Sequence, residues 1–158
     1  KRDTVIVLTS DHGWNLGEKT HWCKAAIWRN TTRVPFIVVS PGVAKAGLRN
    51  NQPISHVDIY PSLCDFAGIP KPGHLEGRSI LPLLKDPSAT RDFAFLSYGP
   101  ENTAAQSERY RYLRYEDGSE ELYDHRKDPH EWTNLIGDKK YQKERKKMRA
   151  QVLAFQKK

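Results

Sequence analysis

The stretch Thr4-Val5-Ile6-Val7-Leu8-Thr9-Ser10-Asp11-His12-Gly13 decides the fold of this chain. Residues 4–9 form an uninterrupted apolar and β-branched run, which is typical of a strand buried on both faces of a parallel sheet. A second run of the same character, Phe36-Ile37-Val38-Val39, ends at Pro41-Gly42. The segment between the two runs is long enough for a crossover between parallel strands. The sequence therefore predicts two interior strands of an α/β layered domain.

A helix is predicted after the second strand. Asp58 can cap its start, and Gly68 can end it. Between them, apolar residues recur at helical spacing along one side: Ile59, Leu63 and Phe66. We assign this helix and the two strands to an α/β domain that covers residues 1–87.

Short segments replace the long apolar runs in the rest of the chain. The pair Asp117-Gly118 lies between two aromatic-rich runs, which is a strong signal for a β-hairpin. Near the C-terminal end, apolar residues recur on one face of a helix: Tyr141, Met148, Val152 and Phe155. We therefore expect residues 88–158 to form a small α+β subdomain, in which a terminal helix lies across an antiparallel sheet.

The formal charge of +7 is a property of the C-terminal end. Between Lys139 and Lys158 there are nine Lys or Arg residues and one acid, Glu144, whereas the rest of the chain has 17 basic and 18 acidic residues. This distribution favours a solvated terminal helix over a polyanion-binding stripe. It also argues against a nucleic-acid partner.

Other features leave the cellular setting open. No apolar run approaches the roughly 20 residues needed to span a bilayer, so we expect no transmembrane segment. The first residues lead directly into a strand-like run without a signal-peptide pattern, so the start resembles a cut and does not identify a compartment. Cys23 and Cys64 are equally compatible with buried thiols and with a disulfide.

Asp11 and His12 follow the first strand, and ligands of open α/β sheets bind at the carboxyl ends of strands. A carboxylate and an imidazole on consecutive residues, in a turn that Gly13 permits, can both face a divalent cation. The alternative is that Asp11 caps the following segment and His12 is polar surface. The dipeptide alone does not separate these interpretations, because metal binding needs several convergent ligands.

Further ionisable side chains in the same connection favour an anionic ligand. An ammonium group near a metal is repelled unless an anion lies between them. Lys24 therefore suits a bound sulfate or phosphate oxyanion and its transition-state charge. His21 could hold or protonate the leaving oxygen of such an ester. Its alternative role is that of a hydrogen-bonded packing residue beside Trp22.

With these residues in place, the chain strongly resembles the sulfatase family, in its iduronate- and choline-sulfatase-like branch. The matching motifs are Thr9-Ser10-Asp11-His12-Gly13, Leu16-Gly17-Glu18-Lys19, His21-Trp22, Lys24 and Arg33-Val34-Pro35, with further matches at residues 57–63, 77–84 and 121–124. The resemblance covers nearly the whole chain. It implies the C-terminal part of an alkaline-phosphatase-like α/β/α sandwich, followed by the small antiparallel-sheet subdomain.

The resemblance implies roles for four residues. Asp11 and His12 fall on positions that bind a divalent cation in this family, usually Ca²⁺. Lys24 falls on the position that contacts the sulfate, so it is predicted to be both a substrate-binding and a catalytic residue. His21 occupies a place where related sequences also carry His, and we predict a catalytic role for it. Because imidazole is a softer ligand than an amide oxygen, Mn²⁺ and Zn²⁺ stay alternatives to Ca²⁺.

The family's nucleophile is absent from this sequence. Sulfatases use a formylglycine made from Cys or Ser in a Cys-X-Pro-X-Arg-type motif near the N-terminal end, and neither Cys23 nor Cys64 begins such a motif. We therefore expect a C-terminal portion that is inactive alone, with formylglycine in the missing N-terminal part. The expected substrate is a sulfate ester, with a sulfated carbohydrate as one candidate. A periplasmic or secreted location would match most of the family.

Two other functions stay open at this point. The first is hydrolysis of phosphate or phosphonate esters, which is found in the same superfamily. The second is a non-catalytic domain that binds anionic glycans through its Lys and Arg surface. We also expect that the isolated chain can self-associate through exposed strand edges or apolar patches.

Overall fold

The computed structural model of the protein describes residues 3–43 and 46–157. It divides into two compact units. The first contains the described residues of Lys1–Thr9 and Pro35–Asp92, and the second contains those of Ser10–Val34 and Phe93–Lys158. Residues 10–34, which the sequence placed in the N-terminal domain, thus belong to the same unit as the C-terminal residues. The predicted domain division at residue 87 itself stays a prediction.

The described residues form eight strands and four α-helices. In chain order the strands are β1 (Ile6–Thr9), β2 (Asn15–Leu16), β3 (Trp22–Cys23), β4 (Phe36–Val39), β5 (Ala94–Tyr98), β6 (Asn102–Gln106), β7 (Tyr110–Arg114) and β8 (Glu120–Asp124). The helices are α1 (Arg29–Thr32), α2 (Ile59–Ala67), α3 (Leu81–Lys85) and α4 (Gln142–Phe155). Short 3-10 helices lie at Glu18–Thr20, His56–Asp58 and Lys139–Tyr141.

The two apolar strands pair differently from the prediction. β1 and β4 are antiparallel, with Ile6 opposite Val39 and Thr9 opposite Phe36. Four large apolar side chains of this pair are at least half exposed: Ile6, Leu8, Ile37 and Val39. The predicted parallel pairing and two-sided burial are therefore wrong for this chain. A β-branched run predicts a strand, but the direction of its partner depends on the path of the connection, which periodicity does not report.

α2 lies where it was predicted, but it buries a different side. The helix ends at Gly68, which adopts a left-handed φ of 66°. Its buried residues are Pro61, Ser62 and Cys64, whereas Leu63 is 41% exposed. The Ser62 hydroxyl explains the difference, because it donates to the Asp58 carbonyl at 2.5 Å and accepts from the Ile80 amide at 2.9 Å. A polar contact thus fixes the side of the helix that packs.

Asp58 is a structural centre of the first unit. Its buried carboxylate accepts the backbone amides of Ser55 at 2.9 Å and Arg78 at 2.7 Å. It also forms a buried ion pair with Arg91, whose guanidinium donates further to the carbonyl oxygens of Arg78 and Ser79. A buried charge with this many partners is held for structure. The predicted cap of α2 is wrong, because the Asp58 side chain makes no capping bond to that helix and instead forms a capping box with Ser55.

The second unit contains a four-stranded antiparallel sheet in the order β5-β6-β7-β8. The Asp117-Gly118 hairpin is confirmed: Gly118 has a φ of 81° and joins β7 to β8. The terminal helix is also confirmed, since Met148 and Val152 of α4 are buried in a core that includes Tyr112 and Leu122. The apolar side of α4 therefore packs against the sheet, as the spacing predicted.

The structure also settles two smaller points. Cys23 is exposed, Cys64 is buried, and both are free thiols, so the disulfide alternative is wrong. Within residues 3–43 and 46–157, the model contains no helix long and apolar enough to cross a membrane.

Candidate active site

Asp11 and His12 form a polar turn directly after β1. The Nε2 atom of His12 lies 3.2 Å from Oδ2 of Asp11, and Nδ1 of His12 donates to the carbonyl oxygen of Gly13 at 2.8 Å. Because a carbonyl oxygen can only accept, Nδ1 donates this bond. The Nε2 atom of the imidazole and a carboxylate oxygen therefore lie side by side, and these two ligand types suit a shared cation.

The surroundings of Asp11 favour its ionised form. Partial desolvation raises the pKa of this carboxyl, but hydrogen bonds from the backbone amides of His12 and Asp11 and the charge of His12 lower it more. The net pKa lies below the ordinary value. Asp11 therefore stays a carboxylate at neutral pH, and its side chain is 80% exposed, so a ligand can reach it.

Gly13 is required by close packing of two backbone segments. Its amide donates to the Thr31 carbonyl at 2.8 Å, and the next amide, of Trp14, donates to the Asn30 carbonyl at 2.9 Å. A Cβ atom on Gly13 would lie 1.9 Å from the Asn30 carbonyl oxygen. Only glycine allows the turn to lie this close to α1, so this contact positions Asp11 and His12.

Asp11 and His12 account for only part of a metal site. Across the described ranges 3–43 and 46–157, no group of three or more His, Cys, Asp or Glu side chains comes close enough to hold a metal ion. Calcium takes about six to eight oxygen ligands, so further ligands would have to come from elsewhere in a parent protein. The carboxylate and imidazole ligand types fit a divalent cation, but the predicted ligand roles stay predictions.

A short, strained hairpin holds His21. β2 and β3 pair with Asn15 opposite Cys23, and three non-glycine residues of this hairpin have left-handed φ angles: Lys19, Thr20 and Cys23, at 54°, 57° and 71°. Such angles cost roughly 1–3 kcal/mol each and cluster at functional sites. The backbone of His21 is fixed by bonds of its amide to Glu18 O at 3.0 Å and of its carbonyl to Gly17 N at 3.1 Å.

The His21 ring combines packing with an unsatisfied polar atom. It contacts the Trp28 ring edge-on, with 5.6 Å between centroids, so the predicted packing alternative is partly correct, with Trp28 in place of Trp22. Its Nε2 atom, however, is buried and has no hydrogen-bond partner among the described residues. A buried polar atom left without a partner costs about 1–3 kcal/mol, so it is unusual unless a ligand satisfies it.

Lys24 follows the hairpin with its side chain exposed. Within the part of the chain that the structure describes, its ammonium makes no ion pair or hydrogen bond. Lys19, in contrast, donates to the Tyr123 hydroxyl at 2.8 Å and lies over the Tyr123 ring at 4.5 Å. The two lysines thus have different environments, and only Lys24 has its charge available to an anion.

A cavity of about 290 Å³ opens beside His21. Residues 25–28 form one wall, directly after Lys24, and three sheet residues form the other: Tyr98, Asn102 and Tyr115. Burial and the nearby Glu121 carboxylate raise the pKa of Tyr115, so its hydroxyl stays protonated. The cavity is therefore aromatic, uncharged and close in sequence to the proposed anion contact.

Charged side chains of the sheet and of the loop after it fix the wall at residues 25–28. Arg111 donates to the Ile27 carbonyl from two nitrogens, at 2.6 and 3.2 Å, and Glu121 accepts the Trp28 indole N–H at 2.8 Å. The Glu131 carboxylate accepts the backbone amide of Arg29 at 2.9 Å and the His125 ring N–H at 2.7 Å. These bonds preorganise the segment that carries Lys24.

Sequence reasoning did not single out Tyr98 or Asn102. They lie opposite each other across the β5–β6 hairpin, beside the turn that contains Gly99. The turn residues predict a hairpin, but nothing in the local pattern reports that its end faces residues 25–28, which lie more than 70 positions earlier. Only the tertiary structure reveals this wall of the cavity.

Comparison with known proteins gives the family of this chain. A family model described as N-sulphoglucosamine sulphohydrolase, C-terminal, matches residues 17–158. A sulfatase of Formosa agariphila is 36% identical over 141 residues, which cover 89% of this chain and 28% of that protein. The chain therefore spans less than a third of the length of this relative.

Solved structures agree with this assignment. A protein in complex with its substrate D-glucosamine-2-N,6-O-disulfate matches with a TM-score of 0.79 and 28% identity, over 98% of this chain and 34% of that one. A phosphonate monoester hydrolase of Agrobacterium radiobacter matches with a TM-score of 0.76 and 30% identity, over 96% and 34%. The predicted fold, the C-terminal part of an alkaline-phosphatase-like enzyme, is thereby confirmed. The chain belongs to the sulfatase family, of which it represents the C-terminal portion.

Proposed function

We propose that the intact protein hydrolyses sulfate esters and that this chain supplies one wall of its active site. One observation carries the proposal: in a chain of the sulfatase family, one short segment carries the exposed Asp11 and Lys24 and the unpartnered Nε2 atom of His21. Elsewhere in the same unit, comparable charges are paired and buried. The contrast supports a binding role for this segment.

Each residue of the segment has a definite task in this proposal. Lys24 places its ammonium against the sulfate oxygens and stabilises the negative charge that develops as the ester bond breaks. His21 lies close to the leaving oxygen, where its free Nε2 can accept a hydrogen bond from the alcohol or, once protonated, donate the proton that the alcohol needs. Trp28 and the hairpin hold His21 in position.

Asp11 and His12 would hold a divalent cation through Oδ2 and Nε2. Such a cation supplies charge to polarise the bound sulfate group. Ca²⁺ is our first choice, with Mn²⁺ or Zn²⁺ as the alternatives that the imidazole ligand permits. Dialysis of the intact protein against a chelator, followed by titration with each cation, tests this choice. Activity that is unaffected by chelation would contradict it.

The nucleophile lies outside these 158 residues in this proposal. Neither cysteine fits the role, since Cys64 is buried and Cys23 lies in the strained hairpin without the required motif. We therefore expect the isolated chain to be inactive and the intact protein to carry formylglycine. Turnover of a sulfate ester by the isolated chain above the buffer rate would overturn this part of the proposal.

The substrate class that we propose is a sulfated carbohydrate. The support is the matching structure with bound D-glucosamine-2-N,6-O-disulfate, together with the aromatic, uncharged cavity beside His21. Sugars commonly bind to aromatic rings through their apolar faces and to polar side chains through their hydroxyl groups.

Hydrolysis of phosphonate or phosphate monoesters is the second candidate, because the structure of a phosphonate monoester hydrolase matches this chain about as well as that of a 2-O sulfatase does. The deciding experiment measures kcat/KM of the intact protein for 4-nitrophenyl sulfate, 4-nitrophenyl phosphate and 4-nitrophenyl phenylphosphonate. We expect the sulfate ester to be preferred by at least about tenfold. Dominant activity on either phosphorus ester would overturn the first proposal in favour of the second.

A further inference from the structure

The cavity beside His21 has a chemical character that defines what can enter it. None of the residues that line it is Lys, Arg, Asp or Glu, and its walls include the aromatic rings of Trp28, Tyr98 and Tyr115. A carboxylate or sulfate in such a place would lose its hydration without gaining a counter-charge. The group that enters the cavity is therefore uncharged, and any charged substituent lies outside.

The side chains of Asn102 and His21 each offer the ligand a polar atom. Asn102 uses its Oδ1 atom to accept the Glu116 amide at 3.2 Å, which identifies the Nδ2 group as the side that can donate. That NH₂ group makes no hydrogen bond with the described residues. Together with the unpartnered Nε2 of His21, it offers a donor and an acceptor to a hydroxyl-bearing ring.

The volume of the cavity and its place in the chain further restrict the class of ligand that it can bind. A volume of about 290 Å³ lies at the lower end of the roughly 300–1,000 Å³ that small-molecule sites occupy, so the cavity holds one ring and not an oligosaccharide. Its wall at residues 25–28 begins immediately after Lys24. If Lys24 holds the sulfate, the cavity adjoins the segment that carries this lysine and is the candidate place for the alcohol half.

We infer that this cavity is the site for the alcohol half of the substrate, where one uncharged pyranose ring packs against Tyr98 and accepts a hydrogen bond from Asn102. Tyr98 and Asn102 are then specificity-determining residues that act in ground-state and transition-state binding of the sugar. The inference rests on the proposed function, because it assigns the sulfate half of the same ester to Lys24. Tyr98 is 54% exposed, so its ring is available to a ligand.

The test separates the two halves of the ester in the intact protein. The sugar probe is N-acetylglucosamine 6-O-sulfate, whose ring is uncharged, and inorganic sulfate, used as a competitive inhibitor, probes the sulfate half alone. Tyr98→Ala and Asn102→Asp should each raise KM for N-acetylglucosamine 6-O-sulfate by about tenfold. Ki for inorganic sulfate should stay within about twofold, because neither side chain contacts that half.

Matched variants exclude a merely structural effect. Tyr98→Phe keeps the ring and should retain KM, and Asn102→Asp keeps the acceptor for the Glu116 amide while it removes the donor. Trp132→Ala removes another exposed aromatic side chain, 60% exposed, and should change neither constant. Thermal unfolding of each variant checks that the fold is intact.

The possible failures are distinguishable. If the wild-type protein cleaves neither sugar sulfate nor 4-nitrophenyl sulfate, the proposed function fails. If the wild type cleaves sulfate esters but Tyr98→Ala and Asn102→Asp leave KM for the sugar probe unchanged, the inference about the cavity fails alone. An equal rise in KM and in Ki for inorganic sulfate would also overturn it, because the two residues would then act on the whole site.

Discussion

Two groups of charged side chains in the second unit contain similar residue types and serve opposite purposes. Asp11, His12 and Lys24 lie on an exposed segment, whereas Arg111, His125 and Glu131 are enclosed by the sheet and its loops. In the enclosed group, Glu131 is 1% exposed and contacts His125 at 2.7 Å and Arg111 at 3.7 Å. The comparison shows that burial, more than residue type, separates a structural charge from one that is available to a ligand.

The enclosed group also holds the backbone of Arg29, which lies just after the exposed segment. Burial raises the pKa of Glu131, but the hydrogen bond from His125, the charge of Arg111 and the Arg29 amide lower it, and the net pKa lies below the ordinary value. Glu131 therefore stays ionised and keeps its bond to the Arg29 backbone. Its left-handed φ of 60° is a local cost that these contacts offset.

The largest expected effect comes from the exposed group. Asp11→Ala in the intact protein removes one cation ligand, and kcat/KM for a sulfate ester should fall by about 10³-fold, or about 4 kcal/mol of transition-state stabilisation. Added cation should restore part of the activity. The control is Asp92→Ala, which removes an exposed carboxylate elsewhere. Equal activity of the Asp11 and Asp92 variants would show that the exposed group has no part in catalysis.

The next effect should appear in stability. Glu131→Ala leaves the buried Arg111 and His125 without their shared carboxylate, which should lower the free energy of unfolding by about 3–5 kcal/mol. Urea denaturation monitored by tryptophan fluorescence measures the change, with the exposed Glu116→Ala as control. A loss below about 1 kcal/mol would mean that the enclosed group stabilises the fold no more than exposed ion pairs do.

Gly13→Ala tests the contact between α1 and the turn that carries Asp11 and His12. The new Cβ atom would meet the Asn30 carbonyl oxygen at 1.9 Å, so the turn must move, at a cost of about 2–3 kcal/mol in stability and with weaker cation binding. Gly137→Ala is the matched control, since a Cβ atom there meets nothing within 4 Å. Isothermal titration with Ca²⁺ and denaturation give the two readouts. Wild-type values for Gly13→Ala would refute the positioning role of this glycine.

The smallest effect concerns a pair at the edge of the sheet. Arg109 donates to both oxygens of the buried Asp124 carboxylate, at 2.8 and 2.6 Å, and this hydrogen bonding lowers the pKa of Asp124. Arg109→Met should therefore cost about 1–2 kcal/mol at pH 7. Because the folded pKa lies below the unfolded value of about 3.9, this stabilisation is present above pH 4 and is lost as the pH falls further.

Denaturation curves of the wild type and of Arg109→Met from pH 7 to pH 2 test this pH dependence. The difference between wild type and Arg109→Met should shrink as the pH decreases below about 4. A difference that is constant with pH would mean that Arg109 acts through packing and not through the charge of Asp124.

The sequence predicted those features that depend on local chemistry. Asp117-Gly118 predicted a hairpin because the tight turns of hairpins need residues that adopt a positive φ. Gly68 predicted a helix end because glycine tolerates a positive φ. The spacing of Met148 and Val152 located the buried face of α4. In each case the residues that decide the structure are neighbours along the chain.

Features that depend on distant partners were not predicted correctly or were missed. The antiparallel pairing of β1 with β4 depends on the path of residues 10–34, and the left-handed φ of Glu131 depends on Arg111, His125 and Arg29. The same holds for the candidate site. Asp11, His12, His21 and Lys24 could be named from one short segment, but Asn102 is brought to the cavity by the sheet. Their roles stay predictions until measured.

The central claim is that the exposed segment binds the sulfate group, and binding of inorganic sulfate to the intact protein tests it most directly. Ki for sulfate should rise by about tenfold or more in Lys24→Ala, because the ammonium makes a charge-assisted contact with the anion. Lys143→Ala, which removes an exposed lysine of the basic helix, should leave Ki unchanged. An unchanged Ki in Lys24→Ala, or an equal rise in both variants, would contradict the account.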